Sequence, residues 1–139
     1  MPKRSLIDTG PLVALFNRND EFHRRATVFL RDFRGVFLTT VPVVTETVYL
    51  LDFHPDAQLN FLRWLERGAL RVEWAGKEDL GRIIQLFERY SDLPMDLADA
   101  SLVALAERLD IREIATFDSD FEIYRVHGKS RFTNVLAGK

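Results

Sequence analysis

Apolar residues along the chain alternate between two spacings, that of short buried strands and that of amphipathic helices. Compact apolar runs predict strands over residues 4–7, 36–39, 70–74 and 111–117, with two shorter candidates near 123–126 and 132–135. Helical spacing predicts a short helix after Gly10, then helices over about 21–34, 42–52, 77–90 and 95–109, and one that carries Leu59, Leu62 and Leu65 and ends at Gly68. Strands that alternate with helices are joined by right-handed crossovers into a parallel sheet covered on both faces. The pattern therefore predicts an α/β fold, a three-layer α/β/α sandwich around a central, mostly parallel sheet.

One of these helices carries a well-defined apolar stripe. Over 77–90, Leu80, Ile83, Ile84 and Phe87 recur at the spacing of a single helix face. Such a stripe is typical of a face turned toward a core.

Length and composition indicate a globular protein without a strong overall electrostatic field. The chain has 139 residues, a net charge of −2 and 47% hydrophobic residues, and we expect one domain over 1–139. It contains no cysteine, which excludes disulfide bonds and thiolate chemistry. No apolar stretch approaches the ~20 residues that span a bilayer, and no secretory signal is recognisable. We therefore expect a cytoplasmic protein that does not enter a membrane.

Four acidic residues are spread along the chain, each near the end of a predicted strand or the start of a helix. Asp8 and Asp118 directly follow predicted strands, Glu46 lies early in the helix after the second strand, and Asp99 opens the most apolar helix. If the strands are parallel, these carboxylates converge at the carboxyl edge of the sheet, where ligands bind in open α/β folds. A carboxylate cluster without basic residues nearby needs a cation, and hard divalent ions prefer oxygen ligands.

Asp8 allows three interpretations. It ends a strand and begins a helix, so it can cap that helix as well as face a ligand. Asp8-Thr9-Gly10 is also the signature triplet of aspartic proteases, which are built from β-structure and pair two aspartates. Here the triplet leads into residues 12–16, whose character is helical, so we disfavour a protease.

Asp96 and Asp99 are three residues apart at the start of the helix over 95–109 and share a face there. Asp96 fits a helix cap, with Asp99 as its partner in a capping box. Capping explains Asp99 less well, because its apolar neighbours indicate a helix that is buried nearly all round. A carboxylate on such a helix is costly unless something pairs with it, so we predict that Asp99 faces a cation and that Asp96 supports it.

The other two acids are assigned by their surroundings. Asp118 follows a buried apolar run and is expected to face the metal, and Asp120, two residues on, is expected to support it as a turn former. Glu46 is the lone acid on an apolar helix. It is predicted to face inward because its neighbours at helical spacing are apolar, namely Val43, Tyr49 and Leu50.

Taken together, these stretches resemble the PIN domain family of metal-dependent ribonucleases, in particular the small VapC-type toxins. The matching segments are Leu6-Ile7-Asp8-Thr9-Gly10, Thr45-Glu46, Asp99-Ala100-Ser101-Leu102-Val103-Ala104-Leu105-Ala106 and Thr116-Phe117-Asp118-Ser119-Asp120-Phe121. The resemblance implies a Mg²⁺ or Mn²⁺ site built from Asp8, Glu46, Asp99 and Asp118. It also implies that Thr9 and Thr116 hydrogen-bond to these ligands, whereas Asp96 lies outside the family pattern.

The function that the resemblance implies is hydrolysis of RNA phosphodiester bonds by a metal-dependent endoribonuclease. The protein would be the toxin of a toxin–antitoxin pair, with an antitoxin protein as its partner, and it would form a homodimer. An RNA-processing nuclease without an antitoxin remains an alternative. A non-catalytic PIN-like binding module is another, although it predicts the loss of at least one acid and none is missing. A receiver-like phosphoacceptor domain fits poorly, because adjacent acids after the first strand are absent.

Basic residues are candidates for contacts with RNA phosphates. Because the net charge gives no general attraction to nucleic acid, such contacts would have to be local. The candidates are Arg4, Arg24, Arg25, Lys129 and Arg131.

Overall fold

A computed structural model describes residues 2–73 and 76–137 of the chain. In this part of the chain the strands are β1 (Lys3–Ile7), β2 (Gly35–Thr40), β3 (Arg71–Glu73), β4 (Glu113–Ala115), β5 (Arg125–Val126), β6 (Ser130–Arg131) and β7 (Thr133–Asn134). Five of them form a sheet in the order β3-β2-β1-β4-β7, and every neighbouring pair is parallel. The strands β5 and β6 form a separate antiparallel hairpin.

The helices are α1 (Thr9–Phe16), α2 (His23–Asp32), α3 (Val41–Leu50), α4 (Pro55–Glu66), α5 (Lys77–Arg89) and α6 (Leu97–Leu109), with a 3₁₀ turn at Ser119–Glu122. Helices α1 to α4 connect β1, β2 and β3, which follow one another toward one edge of the sheet. Helices α5 and α6 then return the chain across the sheet to β4. Right-handed crossovers place these two groups on opposite faces, and the predicted three-layer α/β/α sandwich is confirmed.

The largest departures from the predicted strands follow Ile111. The strand predicted over 111–117 is shortened to β4, because the backbone N–H of Thr116 donates to the side chain of Asn134 (3.3 Å) rather than to a strand. The candidate near 132–135 becomes β7 and extends the sheet beside β4, whereas the candidate near 123–126 becomes β5 of the hairpin. Of the strand predicted over 70–74, Trp74 lies outside the described residues.

Helix α6 forms the centre of the core. Every residue from Ala98 to Ala106 is buried, and the helix contacts α3, α5 and β2. Its many alanines allow this close packing, and one buried polar contact fixes its position. The Thr40 hydroxyl, at the end of β2, lies 2.7 Å from the Ser101 hydroxyl. The first turn of α6 is therefore held against the carboxyl edge of the sheet.

The direction of chain travel across the sheet reverses between β1 and β4. These two strands pair in the register Leu6 to Ile114 and Ile7 to Ala115, and the backbone N–H of Asp8 donates to the Ala115 carbonyl at 3.0 Å. Such a reversal opens a crevice beyond the carboxyl ends of the strands, where open α/β folds bind ligands. Asp8 leaves β1 at this crevice.

Not every apolar stripe marks the core. Of the four residues predicted to share one face of α5, Ile83 is buried, whereas Leu80, Ile84 and Phe87 are exposed. Periodicity shows that a helix has an apolar face, but it does not show whether another element packs against that face. Within the described residues, no helix is long and apolar enough to cross a membrane.

Neighbouring isoleucines on α5 provide a matched test of this packing. Ile83 is 7% exposed, so Ile83→Ala should lower the free energy of unfolding by about 2–5 kcal/mol. Ile84 is 52% exposed, so Ile84→Ala should change it by less than about 0.5 kcal/mol. Urea denaturation followed by circular dichroism measures both values. Equal losses in the two variants would contradict the observed orientation of α5.

Candidate metal centre

Asp8 serves both as a helix cap and as part of an acidic cluster. It is 6% exposed, and its Oδ1 accepts a hydrogen bond from the Thr9 backbone N–H (2.8 Å) at the start of α1. Its Oδ2 accepts a second hydrogen bond from the Thr116 hydroxyl (2.8 Å). The carboxylate is therefore held at two points, one on its own helix and one on the segment that follows β4.

Asp99 is positioned by the start of α6. Its backbone N–H donates to Asp96 Oδ1 (2.8 Å), and the Asp96 N–H donates to Asp99 Oδ2 (3.3 Å), which forms the capping box expected from the spacing. Asp99 Oδ2 also accepts a hydrogen bond from the hydroxyl of Tyr124, a fully buried residue (3.2 Å). Burial and the nearby Asp99 raise the pKa of Tyr124, so its hydroxyl keeps its proton and can act as the donor.

Asp118 is the exposed member of the cluster. Its backbone N–H donates to the Thr116 hydroxyl (2.9 Å), and its Oδ1 accepts from the Asp120 N–H (2.9 Å) at the start of the 3₁₀ turn. Asp120 contacts Asp118 through its backbone N–H, so the side chain that forms this turn is that of Asp118 rather than that of Asp120. The hydroxyl of Thr116 thus connects Asp8 and Asp118, because it donates to one and accepts from the other.

These elements bring three of the four predicted ligands together. One oxygen from each of Asp8, Asp99 and Asp118 lies within 4.8 Å of the other two. Two unit charges at about 4 Å repel by roughly 1 kcal/mol in water, and by several times more where water is excluded. The three carboxylates therefore favour either a proton or a cation among them.

Glu46 lies at the margin of this cluster, outside the group of three. Burial raises the pKa of Glu46, and the Asp96 and Asp118 carboxylates raise it further, so it is within electrostatic reach of the site. Its surroundings differ from the prediction. Val43 is buried, but Tyr49 is 70% exposed and Leu50 is 45% exposed, so only one of the three apolar neighbours lies in the core. Glu46 reaches the crevice because α3 begins at the end of β2.

Burial and mutual repulsion also raise the pKa of two cluster members. Burial is the main cause that raises the pKa of Asp8 to about 6, and the hydrogen bonds from Thr116 and Thr9 oppose this rise. Burial raises the pKa of Asp99 to about 8, with repulsion from Asp96 and Asp8 as the next causes. Both shifts arise mainly from burial, with repulsion from neighbouring carboxylates adding to it.

The residues present fit a hard divalent cation. Carboxylate oxygens are the preferred protein ligands of Mg²⁺ and Mn²⁺, and three of them converge here from separate elements. The Thr9 hydroxyl is an additional polar atom at this site. It is buried beside Glu46, where it opposes the rise in the pKa of that residue, but it makes no hydrogen bond of good geometry. A buried hydroxyl without a partner is costly, and a hydrated cation in the crevice would supply one.

Two residues that the sequence did not single out complete the arrangement. Tyr124 donates to Asp99, and the Asn134 side chain accepts from the Thr116 N–H (3.3 Å) and donates to the Thr116 carbonyl (3.0 Å). Asn134 thereby fixes the backbone that carries the Thr116 hydroxyl. In the sequence, Tyr124 looks like an ordinary core aromatic and Asn134 like a turn residue, so no local signal identifies either of them.

The predicted basic residues are scattered. Arg25 lies at the site, with its guanidinium 5.3 Å from the ring centroid of Phe117, the residue before Asp118. Arg4 is near the amino end of β1, roughly 13 Å along the strand from Asp8, and it donates to the Leu109 carbonyl (3.1 Å). It therefore does not face the cluster. Arg24 lines a different cavity, and the two remaining candidates, Lys129 and Arg131, are exposed on the β5–β6 hairpin.

The raised pKa values predict how the metal-free protein responds to pH. Asp8 and Asp99 are protonated in the folded protein at pH values where the unfolded chain, with an ordinary pKa of 3.8, has lost these protons. The folded state is therefore penalised as pH rises above about 4, and the penalty is complete above about 8. In EDTA, the Tm should fall between about pH 5 and about pH 8. Asp99→Asn should flatten this dependence.

The control for this titration is Asp32→Asn, an exposed carboxylate at the end of α2, which should keep the wild-type profile. Adding Mn²⁺ at about pH 8 should raise the Tm of the wild type more than that of Asp99→Asn, because a ligand that binds the folded state stabilises it. Differential scanning calorimetry measures each Tm. A metal-free wild type whose Tm rises across this range would contradict the interpretation.

Known proteins with a similar sequence or structure are consistent with this arrangement. The profile of the PIN domain matches residues 5–126. Ribonuclease VapC26 of Mycobacterium tuberculosis is 30% identical over 131 residues, which cover 92% of this chain and 97% of that protein.

Two crystal structures share the fold. VapC20 of Mycobacterium tuberculosis, a sarcin–ricin-loop-cleaving toxin, matches with a TM-score of 0.79 and 22% identity over 87% of this chain and 94% of its own. VapBC2 of Rickettsia felis, bound to a DNA fragment from its promoter, matches with a TM-score of 0.63 and 12% identity over 95% of this chain and 98% of that one. A domain profile that covers most of the chain, and a relative that aligns along nearly all of it, establish that this protein belongs to the PIN domain family.

Proposed function

We propose that this protein is an endoribonuclease that hydrolyses RNA phosphodiester bonds with Mg²⁺ or Mn²⁺ as its cofactor. The observation that carries the proposal is the convergence of Asp8, Asp99 and Asp118 to within 4.8 Å at the carboxyl edge of the sheet. These three carboxylates would bind the cation, and Glu46 would bind a second ion or an ordered water at the margin of the cluster. The exposure of Asp118 leaves this side of the site open to a large substrate.

When bound, a divalent cation activates a water molecule and stabilises the charge that develops on the leaving oxygen. The residues of the chain hold the ligands in place. Thr116 orients Asp8, Tyr124 orients Asp99, and the Asp120 backbone orients Asp118. The hydrogen bonds to Asp8 favour its charged form, which counteracts part of the cost of burying it.

The toxin role is the part of the proposal that rests on relatives. The chain aligns along nearly its whole length with ribonuclease VapC26, and its fold matches a toxin that cleaves the sarcin–ricin loop. We propose that this protein is likewise the toxin of a toxin–antitoxin pair, with an antitoxin protein as its partner and cytoplasmic RNA as its substrate. A processing nuclease without an antitoxin would have the same site, and the presence of a neighbouring antitoxin gene distinguishes the two.

A non-catalytic binding module is less consistent with the site. Burial strongly raises the pKa of Asp8 and Asp99, which is a cost to the folded state. A module that only binds a partner gains nothing from this cost, and apolar or neutral polar side chains would pack there more stably. The retention of all four acids supports catalysis.

We also propose that the protein is a homodimer. Tyr49 and Leu50 end α3, Phe53 lies in the turn that follows it, and the three are 70%, 45% and 57% exposed. Large exposed apolar side chains that lie close together in sequence are candidates for an interaction surface. A second copy of the chain would cover them and would lie one helical turn from Glu46.

Cleavage of RNA by the purified protein tests the proposed activity. With Mn²⁺, the wild type should cut members of a panel of single-stranded and stem-loop oligoribonucleotides, and EDTA should abolish cutting. Asp8→Asn should lower the rate at least ~100-fold, which is the upper end of the loss expected for a residue that only supports a ligand. This variant should still fold, because asparagine caps a helix as well as aspartate.

Asp32→Asn is the matched control for cleavage, since it removes one exposed carboxylate outside the cluster. It should cut at the wild-type rate. Wild-type protein that cuts no RNA with Mn²⁺ would contradict the proposal, as would Asp8→Asn that cuts as fast as the wild type. Mass spectrometry of the products identifies the cut position and the end that carries the phosphate.

The oligomeric state is measured by light scattering coupled to size-exclusion chromatography. The wild type should have the mass of a dimer, about twice 16.1 kDa. Tyr49→Glu should shift it toward the monomer, because it places a charge in an apolar interface. Since Tyr49 is 70% exposed, the substitution should leave the fold intact. A wild type that is monomeric at micromolar concentration, or a Tyr49→Glu dimer, would contradict the assignment of this surface.

A further inference from the structure

A cavity of about 220 Å³ opens beside the carboxylate cluster. Thr116 and Asp118 line it, so the cavity adjoins the proposed metal site. Its remaining walls come from segments far apart in sequence, which include Phe22 at the start of α2, Phe121 in the 3₁₀ turn and Phe132 before β7. Substrate that reaches the cluster past the exposed Asp118 would meet this cavity.

Aromatic side chains provide much of the lining. The rings of Phe22 and Phe117 are stacked, with centroids 4.5 Å apart and planes inclined by 20°. The rings of Phe121 and Phe132 meet edge to face, with centroids 5.5 Å apart and planes inclined by 81°. Phe22 is only half-buried, so its stack with Phe117 reaches the surface. Aromatic surfaces of this kind contact unstacked nucleobases in proteins that bind single-stranded RNA.

The wall of the cavity carries the guanidinium of Arg25 as well as the carboxylates of Asp118 and Glu122. The Arg25 guanidinium lies over Phe117 and is tethered by Nη2 to the Leu136 carbonyl (2.9 Å), while its Nε is buried without a hydrogen-bond acceptor. In residues 2–73 and 76–137, no carboxylate lies within 4.0 Å of this guanidinium. An arginine without an ion pair, next to aromatic rings and a nuclease site, is suited to contact a phosphate or a base acceptor.

We propose that this cavity receives the base of a nucleotide adjacent to the phosphate that is cut. The inference rests on the proposed ribonuclease function and adds a substrate requirement to it. The cavity is smaller than the ~300–1,000 Å³ pockets that hold drug-sized ligands, so it accommodates a single base. A base enters only if it is unpaired and unstacked, so the protein selects phosphates in loops and single strands. Phe22, Phe117 and Arg25 are specificity-determining residues in this arrangement.

Substrates that lack one base test the proposal directly. In a stem-loop RNA that the wild type cuts, single abasic nucleotides are placed at each position around the cut phosphate, and kcat/KM is measured with Mn²⁺. One abasic position should lower kcat/KM by about 5- to 150-fold, the range expected for the loss of one stacked base. The other positions should have much smaller effects.

The variant Phe22→Ala tests whether the base at the sensitive position occupies the cavity. It should lower kcat/KM on the intact RNA by a similar factor and should show no further loss on the sensitive abasic RNA, because ring and base act as a pair. Phe22→Tyr, which keeps the ring, should restore cleavage of the intact RNA. Val28→Ala, an exposed apolar residue of the same helix that does not line the cavity, should match the wild type.

A measurement without cleavage separates binding from chemistry. In EDTA, 2-aminopurine at the sensitive position should lose fluorescence when the wild type binds, as this base analogue does on stacking, and the loss should be smaller with Phe22→Ala. If the wild type cuts intact and abasic RNAs equally well, the cavity proposal is overturned and the ribonuclease proposal stands. If no RNA is cut, the ribonuclease proposal fails, and the cavity proposal fails with it.

Discussion

The repulsion among the converging carboxylates at the reversal point of the sheet is the constraint on which the rest of the site depends. Asp8, Asp99 and Asp118 come from β1, α6 and the segment after β4, and the fold forces them to within 4.8 Å. Nothing in simple packing requires three acids there, and the buried carboxylates of Asp8 and Asp99 would be more stable in water. Their arrangement is consistent with a cation site in which the surrounding hydrogen bonds hold each carboxylate in place.

Those hydrogen bonds come from different elements of the fold, and each element positions a different part of the site. Strand pairing between β1 and β4 aligns Asp8 with Thr116, and the single hydroxyl of Thr116 then reaches both Asp8 and the backbone of Asp118. Asn134 fixes Thr116 from the last strand of the sheet. The helix cap at the start of α6 orients Asp99, so an ordinary capping box also positions a member of the carboxylate cluster. Capping and metal binding, two competing explanations at the level of sequence, are compatible here.

The sequence predicts most of the fold and the identity of the acids, because both follow from local periodicity. Asp8 and Asp118 end apolar runs, and parallel strands bring such positions together. Long-range contacts are less accessible to this reasoning. Tyr124 hydrogen-bonds to Asp99, yet in sequence it is one aromatic among several. Tyr49 is the opposite case. Its apolar character predicts burial, but in the structure it is 70% exposed. The sequence shows that Arg4 is basic, but only the direction of β1 in the structure shows that Arg4 lies away from the cluster.

The hydrogen bond between Thr116 and Asp8 joins residues 108 positions apart. Contacts of such long range form late, because a large loop must close before they contribute any stability. During synthesis, a ribosome releases Asp8 long before Thr116 exists, and until then the acids are ordinary hydrated side chains without a shared ion. An incomplete or unfolded chain can therefore contain the acidic residues, but it does not form the carboxylate cluster. The carboxylate cluster is therefore a property of the finished, folded molecule alone.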